Sequence, residues 1–414
     1  MSSTGKCEFA RVGREAVTER VRRASLTAAD GVPIEAAYLP YAPPGAGPGS
    51  GPRDGPGGRR DEGSGDGPGA RAGNTAGAGT DPAGVPVIVL AHGFTGSLER
   101  PALRRAAQVC ARHAAVVTFS FRGHGGSGGR STVGDREVLD LAAAVRWARS
   151  LGHPRVATLG FSMGGSVTVR HGALYRPRDA GDGDTVWPPG RPEGDVAREG
   201  RTVAYEGARA LARAHTEAEE QAGADPSGPS DALAAADARR AKAPDGAGTA
   251  DGDGAANSTG AADAGAVENA GAVEDAGAVD AHADAVVAVS APARWYYRGT
   301  APMRRLHWVI EQPVGRLVSR WGLRTRVHPE GWDPVPLSPT AAAPLLSPTP
   351  LLVVHGDQDA YFPVDHPLAL ARAADPEHTE LWLEHGFGHA ENAAEPELLN
   401  RIAAWAARRA TEAG

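Results

Sequence analysis

Two short stretches place a serine where its hydroxyl could be raised as a nucleophile: Gly160-Phe161-Ser162-Met163-Gly164 and Gly125-Gly126-Ser127-Gly128-Gly129. Glycines two positions before and two after a serine leave room for a sharp, strained turn that lifts Oγ away from the backbone. Such a hydroxyl is a weak nucleophile until a base takes its proton. The base works well only when an ionised carboxylate holds its ring in one tautomer and stabilises the cation that forms. The chain offers His92, His124, His385 and His389 as bases, and Asp357 and Asp359 as partners for them.

What surrounds each serine separates the two matches. Val156-Ala157-Thr158-Leu159 is a continuous apolar run that reads as a strand buried on both faces, and small and apolar residues after Ser162 read as a helix to about Tyr175. Ser162 is therefore expected at a strand, turn and helix junction. Ser127 follows the strand Ala115 to Phe121, but it lies in a glycine-rich loop that reads as flexible, with no helix behind it for several residues. Ser162 is the preferred nucleophile on that ground.

The remaining elements repeat the same alternation. A hairpin, Val21 to Thr27 and Ile34 to Tyr41, turns at Ala29-Asp30-Gly31. Val85 to Ala91 is a buried strand, Pro101 to His113 a helix with proline in its first turn, and Asp135 to Leu151 an amphipathic helix. After Ala283 to Val289 come the strand Pro350 to His355, the helix Asp365 to Ala374, the strand Thr379 to Glu384 and the helix Glu395 to Thr411. Strands alternating with helices imply a mainly parallel central sheet with helices on both faces. Ligands of such sheets bind beyond the carboxyl ends of the strands. Those ends carry His92-Gly93-Phe94, the Ser162 turn, His355-Gly356-Asp357-Gln358-Asp359 and Glu384-His385-Gly386-Phe387-Gly388-His389.

Between these elements the composition changes. Segment 16–42 holds the N-terminal strands, 43–84 reads as a disordered insertion, 85–175 as the first half of the core and 176–282 as a low-complexity insertion. The second insertion contains a marginal helix, Glu199 to Arg213, and drifting hexapeptides that begin at Gly265, Gly271 and Gly277. One valine per copy cannot build a stacked core, so an expansion is expected rather than a solenoid. Segment 283–293 is a core strand, 294–345 a cap or lid and 346–414 the second half of the core. The cap holds Trp295, Tyr296, Tyr297, Trp308, Trp321 and Trp332, either packing among themselves or facing a substrate.

The formal charge of −7 and the absence of a basic stripe argue against a nucleic-acid partner, and the only lysines are Lys6 and Lys242. No apolar run approaches a membrane span, and the N-terminus lacks the apolar region of a leader, so a cytoplasmic location is expected. Cys7 and Cys110 form neither a disulfide framework nor a metal site. Gly125 to Gly129 lacks the following helix and downstream acid of a dinucleotide loop, so no cofactor and no metal is expected. The oligomeric state is left open.

Taken together, His92-Gly93-Phe94, Arg122-Gly-His-Gly-Gly-Ser127, Gly160-Phe-Ser-Met-Gly164, His355-Gly-Asp-Gln-Asp359 and Gly386-Phe-Gly-His389 resemble the α/β-hydrolase superfamily, and most of all its esterase, lipase and serine-aminopeptidase-like hydrolases. The likeness covers 85–175 and 283–410 with the hairpin before them. The resemblance implies an α/β-hydrolase fold with a small helical cap. It implies Ser162 as nucleophile, His389 as general base and Asp359 as the acid, with Asp357 as the alternative, and His385 as a solvated or structural histidine. It further implies the backbone N–H groups of Phe94 and Met163 as oxyanion donors, with His92 and His124 as loop organisers. The implied reaction is cleavage of a small-molecule carboxylic ester through an acyl-enzyme. Acyl transfer, amide cleavage at a peptide N-terminus and a non-catalytic binding role are the alternatives.

Overall fold

The computed structural model describes residues 21–43, 84–176, 280–333 and 335–413. Most of both expected insertions, the marginal helix 199–213, the hexapeptides and Cys7 lie outside the described residues.

Eight strands form one sheet in the order β1-β2-β4-β3-β5-β6-β7-β8. The first two, β1 (Arg22–Thr27) and β2 (Pro33–Leu39), make the expected hairpin, with Gly31 supplying the positive φ of 82° that its turn requires. From β2 onward the sheet joins β3 (Val87–Ala91), β4 (Ala115–Phe119), β5 (Val156–Phe161), β6 (Ala285–Val289), β7 (Leu351–Gly356) and β8 (Thr379–Glu384). Strands β3 to β8 run parallel to one another, and β2 meets β4 antiparallel. The central strands are largely apolar because both faces are covered, with Thr118, Thr158 and His355 as buried polar exceptions. Val87, Val89 and Ala91 point into one core and Ile88 and Leu90 into another.

The second of these cores is closed by α1 (Pro101–Cys110) and the long C-terminal helix, named α9 below, through Leu103, Ala106, Leu399, Ile402 and Trp405. Opposite them lie α2 (Glu137–Ser150) and α3 (Met163–Leu174). Farther along the chain come α4 (Ala301–Glu311) and α5 (Pro313–Val318) with a π-helical turn Ser319–Leu323, then α6 (Pro339–Ala342), α7 (Asp365–Ala373), α8 (Ala390–Ala393) and α9 (Pro396–Glu412). The helices on both faces of a mainly parallel sheet are the α/β-hydrolase arrangement that the sequence predicts. Strand β4 ends at Phe119 rather than Phe121; just beyond it the Ser120 amide donates to the Glu35 carbonyl at 3.0 Å and its hydroxyl to the Glu35 carboxylate at 2.6 Å.

Candidate active site

Ser162 stands between β5 and α3 with φ 52° and ψ −117°, a conformation that costs on the order of 1–3 kcal/mol for a residue with a side chain. Its surroundings hold it there, beginning with a hydrogen bond of 2.8 Å from its amide to the Val289 carbonyl. The flanking glycines are required by contact. A Cβ at Gly160 would overlap the Gly164 carbonyl, and one at Gly164 would overlap the carbonyls of Ala91 and His92. The spacing of the motif is thus the spacing at which strand, turn and helix touch.

Two other strand ends converge on this hydroxyl. His389 Nε2 lies 3.0 Å from Ser162 Oγ, and Nδ1 lies 2.7 Å from Asp359 Oδ2. With Nδ1–H donating to the carboxylate, the Nε2 lone pair faces the serine. The Asp359 side chain is fully buried, and its other oxygen accepts from the amides of Tyr361 at 2.8 Å and Phe362 at 3.1 Å. Burial by itself would raise the carboxyl pKa; the hydrogen bond and charge of His389, with the two amides, outweigh it and hold Asp359 below the ordinary carboxylate value. Tyr361 stacks on the imidazole with ring centres 4.3 Å apart.

The competing residues are placed elsewhere. Asp357 accepts from His385 Nδ1 at 2.6 Å and the Gly386 amide at 2.7 Å, joining two loops. His385 is a solvated histidine with a side chain 96% exposed. Ser127 is buried, donating to the Ser120 carbonyl at 2.6 Å and accepting from the Glu35 amide at 3.0 Å. Its loop corrects the flexible reading. Gly128 donates to Pro33 at 2.7 Å, Gly123 to Gly128 at 2.8 Å and Arg326 to Gly123 at 2.8 Å, so long-range partners pin the glycines.

The expected oxyanion donors are the amides of Met163 and Phe94, and Phe94 follows Gly93, where an added Cβ would lie 3.4 Å from Ser162 Cβ. Met163 opens α3, and Phe94 follows β3 in a buried loop; neither amide donates to a protein acceptor among the described residues. His92 accepts from the Phe121 amide through Nε2 at 3.0 Å and donates to the Gly93 carbonyl at 2.7 Å. His124 meets the carbonyls of Arg122 and Phe94. Burial, followed by the nearby His124, pushes His92 well below its usual pKa, and burial likewise lowers His124. Both histidines organise the Phe94 loop, as expected.

Sequence reasoning missed Glu391. This carboxyl, 5% exposed, accepts from the Gly93 amide at 3.4 Å, and Arg105 donates to its backbone carbonyl at 3.0 Å. A Cβ on Gly93 would lie 3.4 Å from Ser162 Cβ and 3.6 Å from both Glu391 oxygens, so Gly93 is the spacer between acid and serine. Burial raises the Glu391 pKa. Nothing in the motif His389-Ala-Glu391 marks this role. It arises from contact across 298 residues of chain.

The aromatic segment divides. Trp295 donates to Pro336 at 2.7 Å and Trp332 to Thr132 at 2.6 Å, with their rings 5.1 Å apart. Trp295 also lies against Gly134, which in turn approaches Met163. Trp308 and Trp321 are 49% and 74% exposed instead.

Residues 86–178 match a family model described as the alpha/beta hydrolase fold. No curated protein matches. Solved structures similar to this chain include an esterase of Pyrococcus furiosus (15% identity, TM-score 0.44, covering 92% of this chain and 90% of that one). Another is Est1E from Butyrivibrio proteoclasticus with ferulic acid bound (13%, 0.40, 92% and 97%). A third is a serine hydrolase without lid from Xanthomonas campestris (13%, 0.41, 94% and 94%). The resemblance to the α/β-hydrolase superfamily thus holds by sequence over 86–178. No helix among the described residues is long and apolar enough to cross a membrane.

Proposed function

We propose that the chain is a serine hydrolase that cleaves a carboxylic ester through an acyl-enzyme. The observation that carries the reading is the continuous relay from Asp359 through His389 to Ser162, with contacts of 2.7 Å and 3.0 Å. Ser162 Oγ attacks the ester carbonyl while His389 Nε2 takes its proton. The oxyanion that forms accepts from the amides of Phe94 and Met163. His389 then gives its proton to the departing alcohol as the carbonyl–oxygen bond breaks, leaving an acyl group on Ser162. In the second half a water loses a proton to His389 and attacks the acyl carbon. Collapse releases the acid and returns a proton to Ser162 Oγ. Asp359, held ionised, stabilises the imidazolium in both halves without itself taking a proton.

The donors cost no reorganisation at the moment of reaction, since both amides are fixed by the fold. Removing one donor of this kind costs about 10²–10³ in rate. Labelling with a fluorophosphonate probe tests the proposal: the parent labels and Ser162→Ala does not, and equal labelling of both refutes it. Comparing p-nitrophenyl esters with aminoacyl anilides, and water with added alcohols as acceptor, separates ester hydrolysis from amide cleavage and acyl transfer.

A further inference from the structure

Away from Ser162, the segment that follows α5 lies over the loop after β4. Isolated bridges pair His124 with Thr325 and Ser131 with Val327. In this seam is a cavity of ≈ 140 Å³ lined by Arg130, Arg316, Arg320, Arg326 and Val327. Four arginines and one valine form its wall, with no acidic residue among them. None of the four arginines forms an ion pair among the described residues. Arg316 donates only to the carbonyls of Ile310 at 3.3 Å and Glu311 at 2.7 Å. The carboxylate of Glu311 is taken by Arg298 at 2.5 Å and His307 at 3.0 Å. Arg326 donates to the Ser127 carbonyl, while its Nε is buried with no partner. Arg320 lies over the ring of Trp321 at 5.5 Å, and Arg130 makes no hydrogen bond among the described residues.

Like charges gathered in one concavity repel, and the repulsion turns to attraction when an anion sits between them. In a chain of formal charge −7, such a concentration of positive charge at one seam calls for a counter-charge. Guanidinium forks match oxyanions in paired, planar geometry. A planar carboxylate offers two oxygens in one plane, whereas a tetrahedral anion offers acceptors to donors that arrive from several directions. The space is that of a few water molecules, each about 30 Å³. We propose that this cavity is a binding site for a phosphate group, either free or at the end of a larger molecule such as a phospholipid. The bound group ties the α5 segment, through Arg316 and Arg320, to the Ser127 loop, through Arg130 and Arg326.

The test uses the full chain and inorganic phosphate, with sodium chloride at matched ionic strength as control. Calorimetric titration and thermal melting are run on the parent and on Arg130→Ala/Arg320→Ala, whose side chains are exposed and carry no hydrogen bond of the fold. Phosphate is expected to bind the parent and raise its melting temperature beyond the chloride control, with a loss of roughly tenfold or more in affinity in the double variant. A second arm measures flotation with phosphatidylglycerol or phosphatidylcholine vesicles. Binding only to phosphatidylglycerol vesicles, lost in the double variant, identifies a lipid headgroup as the source of the phosphate. Equal affinity in parent and double variant, or no binding in either arm, overturns the proposal. Fluorophosphonate labelling of Ser162 monitors the fold of the double variant and reads the hydrolase proposal separately.

Discussion

The two glycine-flanked serines allow one experiment to separate chemistry from architecture. Ser127→Ala removes a hydroxyl that donates to the Ser120 carbonyl at 2.6 Å and accepts from the Glu35 amide at 3.0 Å. Both partners are then left without it. An unsatisfied buried donor or acceptor costs about 1–3 kcal/mol, so the pair together destabilises by roughly 2–6 kcal/mol. At about 2–4 °C per kcal/mol for a fold of this size, the midpoint falls by roughly 4–24 °C. The nucleophile is untouched, so ester turnover per folded molecule remains within about twofold of the parent. Ser162→Ala has the opposite profile. Among the described residues its hydroxyl has His389 at 3.0 Å as its one hydrogen-bond partner, so stability stays within about 1 kcal/mol while turnover falls by about 10⁴–10⁶. Both variants are melted and assayed with p-nitrophenyl acetate well below the lower midpoint. A Ser162→Ala protein that keeps more than about one per cent of parental turnover, or a folded Ser127→Ala protein that has lost it, refutes the reasoning.

The acids are separated in the same way: Asp359→Asn should lower kcat by about 10³–10⁴ because the ring loses its tautomer, whereas Asp357→Asn, which uncouples an exposed pair, should change it less than about twofold. For Glu391 the prediction concerns pH. Its pKa is raised by burial, so the folded chain holds a proton that the unfolded chain releases above the ordinary value of 4.5. That stabilisation is fully present below 4.5 and is lost as pH rises through the folded pKa. The melting temperature of the parent should therefore decline relative to Glu391→Gln over this interval, and a constant or rising difference contradicts a raised pKa. Gly164→Ala should yield little folded protein, since the added methyl meets the backbone of Ala91 and His92; native-like melting would show that the turn has room to spare.

What the sequence discloses follows from the range of the interactions involved. Ser162 is legible because its turn is specified within five residues, and the contacts of Gly160 and Gly164 reproduce that local rule. The strands β3, β5, β6 and β7 are legible because burial on both faces demands mostly apolar runs. Asp359 is harder, since Asp357 is chemically equal and sits in the same loop. Only the arrival of His389 at one and His385 at the other distinguishes them. Glu391 is illegible, as its effect comes from burial against Gly93 rather than from a spacing. The Ser127 loop misleads for a related reason: glycine composition signals freedom, but partners at Pro33 and Arg326 remove it. The aromatic residues of 294–332 are alike in composition, yet Trp295 and Trp332 are seated on backbone carbonyls while Trp321 faces outward.

The open sheet also bears on how copies of the chain meet. Among the described residues its outermost strands, β1 and β8, each leave one side of the ladder unpaired, and unpaired ladders recruit strands from other chains. Arg22 and Arg23 guard the first, where Arg23 is braced by Glu99 at 2.5 Å. Glu380 and Glu384 guard the last, clamped by Arg409 at 2.7 Å and Arg401 at 2.9 Å beside a Leu383 that is 48% exposed. Each guard rests on surface ion pairs of arginine with glutamate, which salt screens. Association of copies through the sheet edges is therefore favoured as ionic strength rises.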